Sequence, residues 1–340
     1  MRTQRRNLIT YGLSSMLGLA LVAATAGRSP LAQAPDPNSA PNPYRMQADW
    51  LQLPAGRSMG AAIAVEIDRD GRSVWVFDRC GGNDCGRSQL APIMKFDANG
   101  TLVTSFGAGL FNQPHGIGID GDGNIYVSDE RSKNGKGDVV VKFSPDGRVL
   151  MTLGAPGMPG DGPNMFHAPS DVAVAANGDI FVADGHGGNT NGRIVRLSRD
   201  GKFIKAWGKP GKAPGEFDQP HGIAIDSQGR VFVGDRGNAR VQIFDPDGNL
   251  IAEWRQFGRP SGVYIRNDVL YVADSQSDKN RNPGFQRGVR VGSVKDGKVT
   301  AFIPQPSAEL GTGEGVAADD QGNVFQGYNG QRTVRRFVKN

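Results

Sequence analysis

From about residue 60 onward, short apolar runs with alternating polar positions are separated by turns rich in Asp, Asn and Gly, the pattern of a half-buried strand followed by a tight hairpin. The unit recurs. PHGIGIDGDGNIYVSD begins at Pro114, PSDVAVAANGDIFVAD at Pro169, PHGIAIDSQGRVFVGD at Pro220 and PSGVYIRNDVLYVAD at Pro260. GEGVAADDQGNVFQGY follows from Gly313, and a worn copy, AAIAVEIDRDGRSVWVFD, starts at Ala61. The second strand of each copy carries one aromatic residue: Trp75, Tyr126, Phe181, Phe232, Tyr271 and Phe325. Two further strands follow in most copies, as in VQIFDPDGNLIAEW, hinged on an Asp-Gly or Asn-Gly turn. Repeats of this length that cannot bury their faces alone predict an all-β, six-bladed β-propeller spanning residues 49–340. The last copy ends at Asn340 with three strands, so the upstream segment DWLQL, Asp49 to Leu53, is expected to supply the fourth and close the ring.

The first residues follow a different rule. Arg2, Arg5 and Arg6 precede an apolar run from Leu8 to Ala24 and then small residues, which reads as a signal peptide over 1–34. The pair Arg5-Arg6 resembles a twin-arginine signal, and cleavage is placed after Ala26 in preference to Ala34. A periplasmic or secreted protein is therefore expected, with no stable membrane insertion once the signal is removed. Residues 35–48 are rich in proline and read as a linker with nothing to bury. The formal charge of +5 includes Arg2, Arg5, Arg6 and Arg28, so the mature part carries only +1. That excludes a nucleic-acid or anionic-membrane partner as the meaning of the basic composition. Cys80 and Cys85, the two cysteines, fit a small-loop disulfide in an oxidising compartment. A monomer is expected.

Register within the repeat selects the candidate chemistry. The first strand of a blade lines the central channel, so the residue opening it rims the channel mouth. That position holds His115, Ser170, His221, Ser261 and Glu314 in blades 2 to 6. His115, His221 and Glu314 thus approach the axis from directions about 120° apart, as three ligands that leave a metal with an open position. Two imidazoles and a carboxylate suit zinc, and also iron or manganese. The bland alternative, that the histidines repeat because blades 2 and 4 are close copies, stays open at this point. The second strand returns to the same face, which brings Arg79, Glu130, Gly185 with His186, Arg236 and Ser275 around the mouth. Arg79, beside the cysteines, is suited to gripping a carboxylate, and His186 to moving a proton. His167 reads as structural.

The phrases GIAID and VFVGDRGNARVQIF resemble NHL repeats, with Gln219 to Phe244 the closest stretch. VFDRCGG, QPHGIGID, FHAPSDVAV, GRIVRLSRDGKFIKAWG and QPHGIAID further resemble the peptidyl-α-hydroxyglycine α-amidating lyase family, a propeller enzyme, from about Val74 to the end. In that family three channel-mouth histidines hold zinc, and two of them fall on His115 and His221. Its catalytic arginine falls on Arg79. Two positions depart: the third zinc histidine aligns with Glu314, and the catalytic tyrosine with His186. The family's calcium-binding aspartate becomes Gly315, which leaves a structural calcium ion undecided. DGDGN at Asp120 to Asn124 and DPDGN at Asp245 to Asn249 read as hairpin turns, since the twelve-residue calcium loop is absent.

The expected activity is a metal-dependent, lyase-like reaction on a small hydroxylated, carboxylated substrate, which the resemblance identifies with a peptide C-terminus ending in α-hydroxyglycine. The competing expectation is a non-catalytic exported propeller that binds a peptide or glycan on the same face. A quinone-dependent dehydrogenase is disfavoured, because four tryptophans are too few for a docking signature in most blades.

Overall fold

A computed structural model describes residues 36–340; the segment assigned to the signal peptide lies outside the described residues. Six four-stranded antiparallel sheets, each ordered from the channel outward, form the six blades. The innermost strands are Ala62–Ile67, Pro114–Ile119, Pro169–Val174, Pro220–Ile225, Pro260–Arg266 and Gly313–Ala318. The predicted aromatics sit in the seams. Tyr126, for example, packs with Val172, Ile180 and Val195 of the next blade, and all six are 5% exposed or less. Among the described residues the only helical element is one 3-10 turn at Ala308–Leu310, and no helix is long and apolar enough to cross a membrane.

The ring closes with an N-terminal strand, but one residue run earlier than expected. Tyr44–Gln47 pairs antiparallel with the C-terminal strand Thr333–Lys339, from Tyr44 against Lys339 to Gln47 against Arg336. Asp49 to Leu53 does not form this strand. Its apolar alternation serves another purpose: Trp50, 1% exposed, plugs the seam between the first and last blades against Phe96 and Phe325, and its indole N–H donates to Ala98 O at 3.1 Å. The proline-rich segment also differs from a free linker. Pro41 O accepts from Phe302 N at 3.0 Å, and Asn38 Oδ1 accepts from the buried Arg290 at 2.8 Å, so the segment straps blade 5 before entering blade 6.

One device repeated around the ring matters for the site. The aspartate ending the second strand of blades 1 to 4 is fully buried and accepts a backbone N–H from the loop leading into its own innermost strand. Asp78 accepts from Gly60 at 2.6 Å, Asp129 from Asn112 at 2.8 Å, Asp184 from His167 at 2.7 Å and Asp235 from Asp218 at 2.8 Å. A buried carboxylate satisfied by orphan amides fixes the loop, and with it the residue that follows: Arg79, Glu130, Gly185 and Arg236. In blade 6 Tyr328 occupies this register position opposite Gly313.

Candidate active site

A cavity of about 260 Å³ runs down the channel, walled by the innermost strands of the blades. His115, His221 and Glu314 rim its mouth, while Glu66, Asp171 and Tyr264 face it deeper in. The strands touch closely here. A Cβ at Gly222, the residue after His221, would lie 2.6 Å from Ser261 O, and one at Gly315 would lie 2.7 Å from Ala64 Cα and Ile63 O. Only glycine fits behind these functional residues, so a carboxylate at position 315 has no room in this ring.

The same close approach orients the imidazoles. His115 Nδ1 is 2.7 Å from Ser170 O and His221 Nδ1 is 2.9 Å from Ser261 O, each a carbonyl of the neighbouring blade. A carbonyl only accepts, so both rings carry their hydrogen on Nδ1 and present a bare Nε2 to the channel axis. Burial keeps both rings neutral: it pushes His115 down to about 3 and His221 well below the usual histidine range, with the Arg236 charge adding to the effect on His221.

What faces these nitrogens is informative. Glu314 Oε2 lies 3.7 Å from His221 Nε2, and Glu130 Oε2 lies 3.6 Å from His115 Nε2. His221 Nε2 and Glu314 Oε2 are both buried without a hydrogen-bond partner. Acceptors set against one another in a dry site repel unless a cation stands between them. The donor set therefore fits a divalent metal.

His186 completes a cluster of three histidines whose ring nitrogens lie within 4.8 Å of one another. It is held differently from the other two. Its Nε2 accepts from Arg236 Nη2 at 3.0 Å, which in the neutral ring leaves the hydrogen on Nδ1, 2.6 Å from Glu130 Oε2. The two atoms face each other at this distance without an aligned hydrogen bond. With one nitrogen occupied by an arginine donor and the other protonated, His186 has no bare nitrogen for an ion in this arrangement.

Two arginines flank the cluster. Arg79 donates through Nη2 to Glu130 Oε1 at 3.2 Å and through Nε to Pro114 O at 3.1 Å. The bond between Cys80 and Cys85 closes the loop directly after it. Arg236 donates to Gln219 Oε1 at 2.8 Å and has Glu314 Oε2 at 3.8 Å from Nη1, while its Nε is buried without a partner. Glu130, 1% exposed, is the hub. Burial disfavours its charge, but the Nδ1–H of His186 and the Arg79 guanidinium favour it and hold its carboxyl well below the usual range. The structure thus brings together all five predicted site residues. Glu130 and Arg236 had only been placed near the mouth by register; the signal that could have singled them out is charge at a position where blade 5 has Ser275.

The family model for the NHL repeat matches residues 111–136 and 217–244. Human NHL repeat-containing protein 3 is 31% identical over 247 residues, 70% of this chain and 68% of that one. The chain belongs to the NHL-repeat family. Among its other relatives is a protein of Caenorhabditis elegans named as a probable peptidyl-alpha-hydroxyglycine alpha-amidating lyase, 38% identical over 207 residues, 57% of each chain. The fold of this NHL-repeat protein is shared with virginiamycin B lyase from Staphylococcus aureus, at a TM-score of 0.53 and 15% identity over 84% of this chain and 83% of that one. Kinship to proteins named as amidating lyases supports a lyase-like function.

Proposed function

We propose that this NHL-repeat propeller is a metal-dependent lyase that cleaves the C–N bond of a C-terminal peptidyl-α-hydroxyglycine, giving a peptide amide and glyoxylate. The observation that carries the proposal is the pair of buried imidazoles, each locked by a neighbouring blade with its bare Nε2 turned to one point, with the unpartnered Glu314 Oε2 beside them. His115, His221 and Glu314 would hold the ion. There, zinc by its ligand types, or iron or manganese by the same chemistry, would supply Lewis acidity that lowers the pKa of the substrate hydroxyl.

The chain's own residues do the rest. The Nε2 of His186 takes the hydroxyl proton once substrate displaces the Arg236 donor from it. The electron pair of that O–H bond becomes the C=O of glyoxylate, the C–N pair leaves on nitrogen, and the proton from His186 completes the amide. Arg79 and Arg236 hold the substrate carboxylate at the rim. Export, as the N-terminal arginines and apolar run imply, would place the enzyme where a secreted or periplasmic peptide is met.

The experiment is glyoxylate release from a peptide ending in α-hydroxyglycine, with purified protein reconstituted with zinc, iron or manganese in turn. Release that depends on the metal and disappears in His186→Ala supports the lyase. Saturable binding of such peptides without turnover, unaffected by His115→Ala with His221→Ala, would instead establish the non-catalytic binding module.

A further inference from the structure

We propose that Glu130 is the positioning residue of this site, a single carboxylate that sets the tautomer of His186 with one oxygen and the guanidinium of Arg79 with the other. The inference rests on the lyase reading for the roles of His186 and Arg79, but its geometry stands apart from it. Oε2 lies 2.6 Å from His186 Nδ1, and Oε1 accepts from Arg79 Nη2 at 3.2 Å. Of the other neighbours in reach, Arg131 approaches Oε1 at 3.5 Å from a side chain 62% exposed and is too solvated to direct the carboxylate, while His115 Nε2, 3.6 Å from Oε2, carries no hydrogen to donate to it. The backbone of Glu130 is itself fixed, since its N–H donates to Gln113 O at 3.0 Å and Asp129 before it is pinned to the loop at Asn112.

The chemical need for such a group follows from the residue types. A histidine that accepts a proton must present one bare nitrogen, and its other nitrogen must carry the hydrogen. A buried carboxylate opposite Nδ1 favours that choice together with the Arg236 donor at Nε2, keeps it once substrate draws Arg236 away, and stabilises the imidazolium formed on proton uptake, the service a carboxylate performs for a catalytic histidine generally. A tyrosine in the same place would need none of this. The acid on blade 2 is therefore the structural counterpart of the histidine on blade 3, and the two form one unit across the seam.

The arrangement also assigns the arginines unequal tasks. Arg79 gives part of its charge to Glu130, whereas the Arg236 Nε is unpartnered and Arg236 has no carboxylate closer than 3.8 Å. Removing Glu130 should free both Arg79 and His186 to turn toward each other's space.

The test uses Glu130→Gln, Glu130→Ala and Glu130→Asp in the full chain. Long-range ¹⁵N–¹H correlation spectra of the metal-free protein read the His186 tautomer directly. The wild type should show Nδ1–H, and the alanine variant should show a mixture or Nε2–H. Steady-state glyoxylate release should show kcat down by at least about a hundredfold in the alanine variant, with KM raised as Arg79 loosens and partial recovery in the aspartate variant. Zinc content should stay at the wild-type level throughout, because Glu130 is not one of the assigned ligands. A wild-type Nε2–H tautomer, or a tautomer unchanged by Glu130→Ala, overturns the inference whether or not the protein is a lyase. Absence of glyoxylate release from wild type, with the tautomer responding as expected, overturns the lyase and leaves the positioning role standing.

Discussion

Substituting Gly222 by alanine probes how the ring geometry makes the site. The new methyl would sit 2.6 Å from Ser261 O and 2.7 Å from Val263 N, distances that real Cβ atoms do not show, and both obstacles are backbone of the adjacent innermost strand. Neither can swing aside like a side chain, so the two blades must part locally. The Ser261 carbonyl that has to retreat is the one holding His221 Nδ1 at 2.9 Å. Overpacking of this kind costs about 1–3 kcal/mol, a drop of several degrees in Tm for a domain of this size. Loss of the bond that orients a ligating imidazole lowers metal affinity about 10–100-fold. Thermal melts of the metal-free protein measure the first effect, and competition with a chromophoric chelator measures the second. Gly121→Ala serves as control, since nothing lies within 4 Å of a Cβ there and its backbone is ordinary. If Gly222→Ala melts lower yet binds metal as tightly as wild type, the carbonyl bond does not orient His221. If it does neither, the blades are not in the close contact described.

Three further outcomes follow from buried charge and covalent closure. Glu66 faces the channel and burial raises it to about 8 from 4.5, so the folded state holds a proton that the unfolded state has lost. Stability should therefore fall as pH rises through that window, by up to about 1.4 kcal/mol per pH unit from this group, and urea titrations of Glu66→Gln should show a correspondingly flatter profile; identical profiles would remove the argument. Arg240, 1% exposed, donates to Asp235 Oδ2 at 2.8 Å and to the carbonyls of Ala213 and Glu216 at 2.9 and 2.8 Å. Arg240→Met should cost about 3 kcal/mol, because Asp235 loses its cation and two buried carbonyls their donor while Asn238 and Gln242 still reach Oδ2 at 2.8 and 3.2 Å, and a loss under about 1 kcal/mol in chemical denaturation would contradict it. Replacing Cys80 and Cys85 together by serine should cost about 2 kcal/mol for so short a loop and raise KM more than it lowers kcat, because Arg79 precedes the staple. An unchanged KM would mean that the Pro114 and Glu130 contacts alone hold Arg79.

The six-blade ring was legible because its evidence is repetition: Pro114, Pro169, Pro220 and Pro260 each open an innermost strand, as the copies predict. The same register brought His115, His221 and Glu314 to one rim. The closing strand was not legible, because alternation with period two cannot separate a paired strand from a segment that plugs a seam. DWLQL has the stronger pattern through Trp50, while the paired segment Tyr44–Gln47 shows only Tyr44 and Met46 as large apolar residues, with Met46 itself exposed. The direction of a loop side chain is likewise invisible in sequence. Arg79, Glu130 and Arg236 share a register position, yet their pairing depends on which blades they lean toward, and Glu130 bridges to both the blade before it and the blade after.

The central claim is a metal held at the channel mouth by His115, His221 and Glu314, with His186 outside the ligand set. It is tested most directly by elemental analysis of the mature wild type and of His115→Ala, His221→Ala, Glu314→Ala and His186→Ala, each confirmed as folded by circular dichroism. The account predicts about one equivalent of divalent metal in the wild type and in His186→Ala, and its loss in the other three. Metal-free wild type, or a His186→Ala protein as depleted as His221→Ala, would contradict it.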